Sequence, residues 1–405
     1  MASAVVLGVG DSVDCELALS APVLEELIDT YGVRAAELGP SAAAAVVSER
    51  DLLVSILGHV RTGGGGEHFV ASSEALRAFA RRFPYRLTLG GTSVRAAIAM
   101  SRLGVPATLH LVTLNDIVRR LLPPGCDYLC SGRADTLYPH LIVQYDRDLR
   151  VRAGDVDIRA PAANRLIYVN DPANEALLLS DDLGARLRDA RIFLISGLNA
   201  VRDRDVLDRR LSELRCHMRE LPPGAVVVYE DAGFHEPAFS RRVRDALIGV
   251  LDVYGLNEDE MQAHLGHAVD LLSVDEVERA LTSLRGLIPA PILVVHTRYW
   301  AAAVGAAAGE YAEALNEGMV IAGTRYAHGD HFTDRQHQLV RGGPRPAAAA
   351  EFATALERRM GAGVRCVPGF DLDVAEPTTI GLGDTFVGGV LAVVAGGKAA
   401  RWTSY

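Results

Sequence analysis

The stretch Thr378-Thr379-Ile380-Gly381-Leu382-Gly383-Asp384-Thr385-Phe386 decides how this chain is read. Two glycines meet a carboxylate, and residues 386–395 continue as an apolar, helix-like run containing Gly388-Gly389. A helix start exposes unpaired backbone N–H groups and the positive end of the helix dipole. Glycines let such a backbone approach an anion closely. A carboxylate beside a nest that only held phosphate would repel its ligand. Asp384 fits if it takes a proton from a hydroxyl while the N–H groups steady a phosphoryl group in transfer. Taken alone, Gly-x-Gly-Asp is equally compatible with a helix start capped by an aspartate.

Bulk properties narrow the choice. A chain of 405 residues suggests roughly two to three domains. With 49% hydrophobic and 23% charged residues it is globular in composition. A formal charge of −10 argues against a general nucleic-acid or anionic-membrane binder. Lys398 is the one lysine, so no lysine-bearing P-loop can be written. Cys15, Cys126, Cys130, Cys216 and Cys366 are scattered, which fits reduced thiols in a cytoplasmic protein. Cys126 and Cys130 lack a second pair at zinc-ligand spacing. His328 and His331 read as part of a polar loop. The first residues carry no basic signal region. No apolar run reaches the ~20 residues of a membrane span.

Along the chain, residues 5–9 read as a buried strand followed by a loop with Asp11 and Asp14. Residues 21–57 are largely helical in pattern. Thr62-Gly63-Gly64-Gly65-Gly66 reads as an exposed loop rather than a phosphate cradle, because no strand precedes it. Gly90-Gly91 opens a helix over 92–103. Residues 107–169 read as a β-rich insertion, with strands at 107–112, 140–145 and 165–169. After Arg191, strands at 192–195, 226–229, 253–256 and 292–296 alternate with helices. That alternation predicts a parallel sheet covered on both faces, with ligands at its carboxyl edge. Asp11, Asp14, Gly197, Glu230, Asn257, Thr297 and Asp384 all follow apolar runs and are expected to converge there. The small-residue run 301–309 reads as a tightly packed helix.

With these segments placed, the chain resembles the ADP-dependent glucokinase/phosphofructokinase family, a branch of the ribokinase-like fold. Gly381-Leu382-Gly383-Asp384 looks like its Gly-x-Gly-Asp motif, and Asn257-Glu258-Asp259-Glu260 is similar to its Asn-x-x-Glu motif. Val228-Tyr229-Glu230 falls where the family has His-x-Glu, with Val228 in place of the histidine. Gly90-Gly91-Thr92 resembles the sugar-side Gly-Gly segment. Val13-Asp14, residues 163–167 and His296-Thr297-Arg298 are weaker echoes.

The resemblance implies an α/β fold: a ribokinase-like large domain with a mostly parallel sheet, and a smaller discontinuous α/β lid. The expected large domain takes residues 1–14, 88–106 and 186–405, and the lid 15–87 and 107–185. It implies Asp384 as the base and the backbone of Gly381, Leu382 and Gly383 as the anion hole. Asp14, Gly90 and Gly91 would hold a sugar-like acceptor. Arg165, Asn257, His296 and Val367 would line the nucleotide site. Glu230 and Glu260 would organise Mg²⁺, largely through water. His296 reads equally as a buried histidine satisfied by backbone. The implied reaction is Mg²⁺-dependent phosphoryl transfer from ADP to a hydroxyl of a sugar or sugar phosphate. An ATP-dependent sugar or nucleoside kinase, and a binding protein on a kinase fold, stand as alternatives.

Overall fold

The structure is a computed structural model that describes residues 4–38, 46–374 and 377–396. In chain order the strands are β1 (Val5–Gly8), β2 (Ser12–Ala18), β3 (Gly66–Phe69), β4 (Tyr85–Gly90), β5 (Thr108–Leu111), β6 (Asp127–Cys130), β7 (His140–Tyr145), β8 (Arg150–Ala153), β9 (Val156–Arg159), β10 (Asn164–Val169), β11 (Ile192–Ile195), β12 (Val226–Glu230), β13 (Val253–Asn257), β14 (Ile292–His296), β15 (Trp300–Val304) and β16 (Val364–Pro368).

Nine strands form a sheet in the order β16-β15-β14-β13-β12-β11-β1-β5-β6. All of its neighbours run parallel except β15, which is antiparallel to β14 and β16. The apolar runs of β11, β12 and β14 are buried along their whole length, as a sheet covered on both faces requires. One face packs on helices Arg204–Met218, Pro237–Leu247, Val274–Leu287 and Ala347–Met360. The other packs on helices Thr92–Arg102, Ala312–His328 and Leu382–Ala395. Gly388 and Gly389 seat the last of these between the other two. A Cβ on Gly388 would lie 2.6 Å from the Ala96 carbonyl, and one on Gly389 2.8 Å from Gly318 Cα. The pair therefore sets how closely three helices approach beneath the Gly-x-Gly-Asp turn.

A second sheet has the order β3-β10-β7-β2-β4. Helices Ala21–Tyr31, Glu49–Thr62 and Ser73–Ala80 cover one of its faces, together with the β8–β9 hairpin. The other face is turned toward the carboxyl edge of the large sheet, across a cleft. The chain enters the small sheet directly after β1, through β2, and returns along β4 into helix Thr92–Arg102.

Several expectations need correction. Residues 301–309 are not a helix: Trp300–Val304 is a strand between β14 and β16, followed by a 3-10 turn at Ala308–Tyr311. Alanine favours helix locally. Here Ala301, Ala302 and Ala303 are wholly buried in the sheet, and tertiary packing overrides propensity. Gly66 ends the expected loop early by opening β3, which pairs with β10. The lid boundaries also differ. β5 and β6 lie within 107–185 yet pair in the large sheet, and Leu177 and Leu183 join its core. Residues 12–14 and 88–90, assigned to the large domain, pair in the small sheet. Among the described residues no helix is long and apolar enough to cross a membrane.

Candidate active site

A cleft of about 830 Å³ separates the open face of the small sheet from the carboxyl edge of the large one. Asp11, Asp14, Gly197, Asn257, Thr297 and Asp384 all line it, as the strand–helix alternation predicts. Glu230 does not; it lies one layer behind the wall.

Gly381 caps the helix Leu382–Ala395 with φ 65°, a left-handed conformation that glycine adopts without strain. No side chain caps this helix start. The N–H groups of Gly381, Leu382, Gly383 and Asp384 have no hydrogen-bond partner among the described residues. Gly381, Leu382, Gly383 and Asp384 all line the cleft. The helix begins four residues earlier than the apolar pattern suggests, so the whole motif forms its first turn. Thr385 closes that turn, donating from its N and Oγ1 to the Gly381 carbonyl at 3.1 and 2.8 Å.

Across from it, Asp14 sits in β2 rather than in a loop, and its carboxylate is buried. Ser12 Oγ donates to Asp14 Oδ1 at 2.8 Å. A Cβ on Gly90 would come within 2.3 Å of both Asp14 oxygens, so the glycine makes room for that carboxylate. Gly91 lines the cleft beside it.

The sequence reading missed the group that joins these two walls. Arg95 is buried; its Nη2 donates to Asp14 Oδ2 at 2.7 Å and its Nε lies 4.0 Å from Asp384 Oδ2. A Cβ on Gly381 would strike the Arg95 side chain at 2.4 Å. Burial alone would make this guanidinium easier to deprotonate. The carboxylates of Asp14, Asp384 and Glu16 more than offset it and hold Arg95 charged. An arginine inside the apolar run Val94–Ile98 was the available signal. His140 was missed too: its Nε2 lies 3.1 Å from Asp171 and its Nδ1 4.0 Å from Asp14. Despite desolvation, Asp171 and Asp14 raise its pKa.

Asp11 follows β1 and accepts hydrogen bonds from the N–H groups of Val112 and Thr113 through Oδ1. Burial pushes its carboxyl up to about 7, with the Asp171 charge adding to the rise.

On the opposite side, Asn257 caps helix Glu258–Leu265. Its Oδ1 accepts from the N–H of Asp259 and Glu260, and Glu260 Oε2 accepts from the Asn257 N–H at 2.8 Å. Burial, followed by the charges of Asp231 and Glu230, pushes Glu260 up to about 8. Glu230 reaches across Gly255, where a Cβ would lie 2.0 Å from Oε2, to meet His296 Nε2 at 2.7 Å. His296 is thus satisfied by a carboxylate, not by backbone, and it stacks on Phe386. Val228 is buried in β12. The imidazole that partners Glu230 is His296, from β14, two strands away in the sheet. Burial raises the Glu230 pKa, and Asp384 and Asp231 add to it against His296.

Arg165 projects from β10 into the cleft, on the small-sheet wall. Val367 does not reach it; that side chain is buried in β16, and Phe370, Asp371 and Leu372 line the cleft instead. Among the described residues no three His, Cys, Asp or Glu side chains are grouped as a metal cage. Glu230, buried, and Glu260, half-buried, both have raised pKa values; a few carboxylate oxygens are the donors that a hard cation such as Mg²⁺ takes.

Comparison with known proteins shows the family and the fold. Residues 3–342 match the conserved region of ADP-specific phosphofructokinase/glucokinase. No curated protein matches the sequence significantly. In fold the chain is similar to a hypothetical ADP-dependent phosphofructokinase from Pyrococcus horikoshii OT3, with TM-score 0.76, 17% identity and 98% of each chain covered. A phosphofructokinase from the same organism with AMP gives TM-score 0.73 at 17% identity, again over 98% of each chain. An ADP-dependent kinase in complex with fructose-6-phosphate and ADPβS gives TM-score 0.73 at 11% identity, over 98% of this chain and 94% of that one. At such identities the likeness is one of fold.

Proposed function

This chain belongs to the family of ADP-specific phosphofructokinases and glucokinases, and from that premise we propose that it transfers the β-phosphoryl group of ADP to a hydroxyl of a sugar or sugar phosphate, releasing AMP. The observation that carries the reading is the run of N–H groups from Gly381 to Asp384, without a partner among the described residues, in residues that line the same cleft as Asp14. Phosphoryl transfer asks mainly for positioning and charge neutralisation.

Asp14 orients the acceptor, with Gly90 and Gly91 admitting it closely. Asp384 takes the proton of the attacking hydroxyl. The N–H nest receives charge as it moves onto the transferred group. Arg95 keeps Asp14 and Asp384 in register and balances their charge. Asn257, His296 and Arg165 border the donor side. Mg²⁺, held through water by Glu230 and Glu260, would neutralise phosphate charge. The small sheet acts as a lid whose closure over the acceptor excludes water.

Mass spectrometry of the protein with Mg²⁺, ADP or ATP, and a panel of sugars and sugar phosphates tests this. AMP together with a phosphorylated acceptor is expected. Product formed from ATP alone would overturn the donor assignment. Undiminished turnover by Asp384→Asn would overturn the base.

A further inference from the structure

The anion hole is gripped from behind by a side chain that touches neither the acceptor nor the cleft. Arg325 lies in the last turn of helix Ala312–His328 and is 4% exposed. Its Nη1 donates to the carbonyl of Ile380, the residue before Gly381. Its Nε donates to Asp330 Oδ1 at 2.5 Å, and Arg102 Nη2 donates to the Asp330 carbonyl at 2.7 Å. The neighbouring Tyr326 carbonyl accepts from the Thr378 N–H at 2.9 Å. One helix end thus holds both ends of the segment that leads into the Gly-x-Gly-Asp turn.

We propose that Arg325 is a positioning residue for phosphoryl transfer, aiming the Gly381 N–H into the cleft by fixing the Ile380 carbonyl. In a planar trans peptide the C=O and the following N–H point in opposite directions. Drawing the Ile380 oxygen back toward Arg325 turns the Gly381 N–H the other way, toward the phosphoryl site. Glycine at 381 has the backbone freedom that makes such a constraint necessary. The buried Nη2 of Arg325 has no partner among the described residues. A buried polar atom left unpaired is destabilising, so fold stability alone does not account for a guanidinium here. Arg325 also borders a void of about 30 Å³ shared with Arg95 and Thr385.

The inference rests on Gly381 to Asp384 being the phosphoryl nest, and the test separates the two. Arg325→Ala, Arg325→Lys and Asp384→Asn are compared in turnover with Mg²⁺, ADP, and glucose or fructose 6-phosphate. The ratio of ADP to AMP affinity is measured by calorimetry, which needs no acceptor. For Arg325→Ala, kcat is expected to fall about 10- to 100-fold, the scale of a misplaced catalytic group. The acceptor KM stays within about threefold, because that wall is untouched. The preference for ADP over AMP also falls. Added guanidinium restores part of the loss, and Arg325→Lys retains an intermediate activity. If Arg325→Ala folds poorly, Asp330→Asn, which loosens the same tether from outside, is expected to move both readouts less but in the same direction. A folded Arg325→Ala with unchanged kcat and unchanged ADP preference would overturn the inference, and so would a loss confined to KM. If Asp384→Asn is inactive while the Arg325 variants work normally, only this inference fails. If Asp384→Asn is fully active, the underlying reading fails.

Discussion

Two buried imidazole–carboxylate pairs in this molecule have nearly the same geometry and opposite electrostatics. His296 meets Glu230 at 2.7 Å and His337 meets Glu317 at 2.9 Å. Burial works against the charge on both carboxylates. At Glu317, His337 and then Arg341 overcome it, and the pKa falls. At Glu230, Asp384 and Asp231 reinforce the burial, and the pKa rises. Glu317 ties helix Ala312–His328 to helix Asp334–Arg341 and is electrically closed. Glu230 sits in an excess of negative charge that His296 offsets only in part. A closed pair serves stability, and an open one has capacity left for a cation.

The contrast can be broken in order of expected effect. Asp384→Asn removes the proposed base and part of the field at Glu230. Its turnover, read as AMP release, should drop about 10²- to 10⁴-fold with the fold intact. Glu317→Ala leaves His337 and Arg341 unpaired and should cost about 3 kcal/mol of unfolding free energy in urea. Glu230→Gln should do the reverse: little or no loss in urea, lower turnover, and a higher Mg²⁺ concentration for half-maximal rate. Equal urea sensitivity of the Glu317 and Glu230 variants would erase the distinction. A smaller effect is a Mg²⁺-dependent rise in melting temperature. Glu230→Gln combined with Glu260→Gln should abolish it, and a Glu317 variant should keep it.

The smallest effect is in pH dependence, where the two kinds of carboxylate have opposite signs. Glu317 has a lowered folded pKa, so its stabilisation is present above the usual carboxylate range and is lost as pH falls through the folded value. Asp11 is raised from 3.8 to about 7. Its folded state holds a proton that the unfolded chain has released, so stability declines as pH rises across that window. The slope is at most one proton, about 1.4 kcal/mol per pH unit. Asp11→Asn should flatten that decline in melts taken between pH 5 and 7, while His140, which faces Asp11 and whose pKa is raised, keeps a residual slope of the same sign.

Much of the candidate site was legible because the wall that carries Asp384 is local in sequence. Gly381, Leu382, Gly383 and Asp384 are consecutive, and one helix start makes a nest from their backbone. Asn257 and Glu260 form one capping box. The small-sheet wall was harder to read. Asp14, His140, Arg165 and Glu67 come one each from β2, β7, β10 and β3, and only strand pairing makes them neighbours. Arg95 and Arg325 gave little signal, since arginine supplies nearly all the positive charge of this chain.

The sequence by itself determined the parallel sheet, the helix that carries Asp384, and the set of carboxylates following apolar strands. Local periodicity and short motifs carry that information, because each depends on residues a few positions apart. Only the tertiary structure decided that Trp300–Val304 is a strand, that β5 and β6 join the large sheet, and that Glu230 is partnered by His296. It also decided that Arg325 holds the Ile380 carbonyl, 55 residues along the chain. Those outcomes depend on which surfaces meet. Burial and charge act through space and not along the chain.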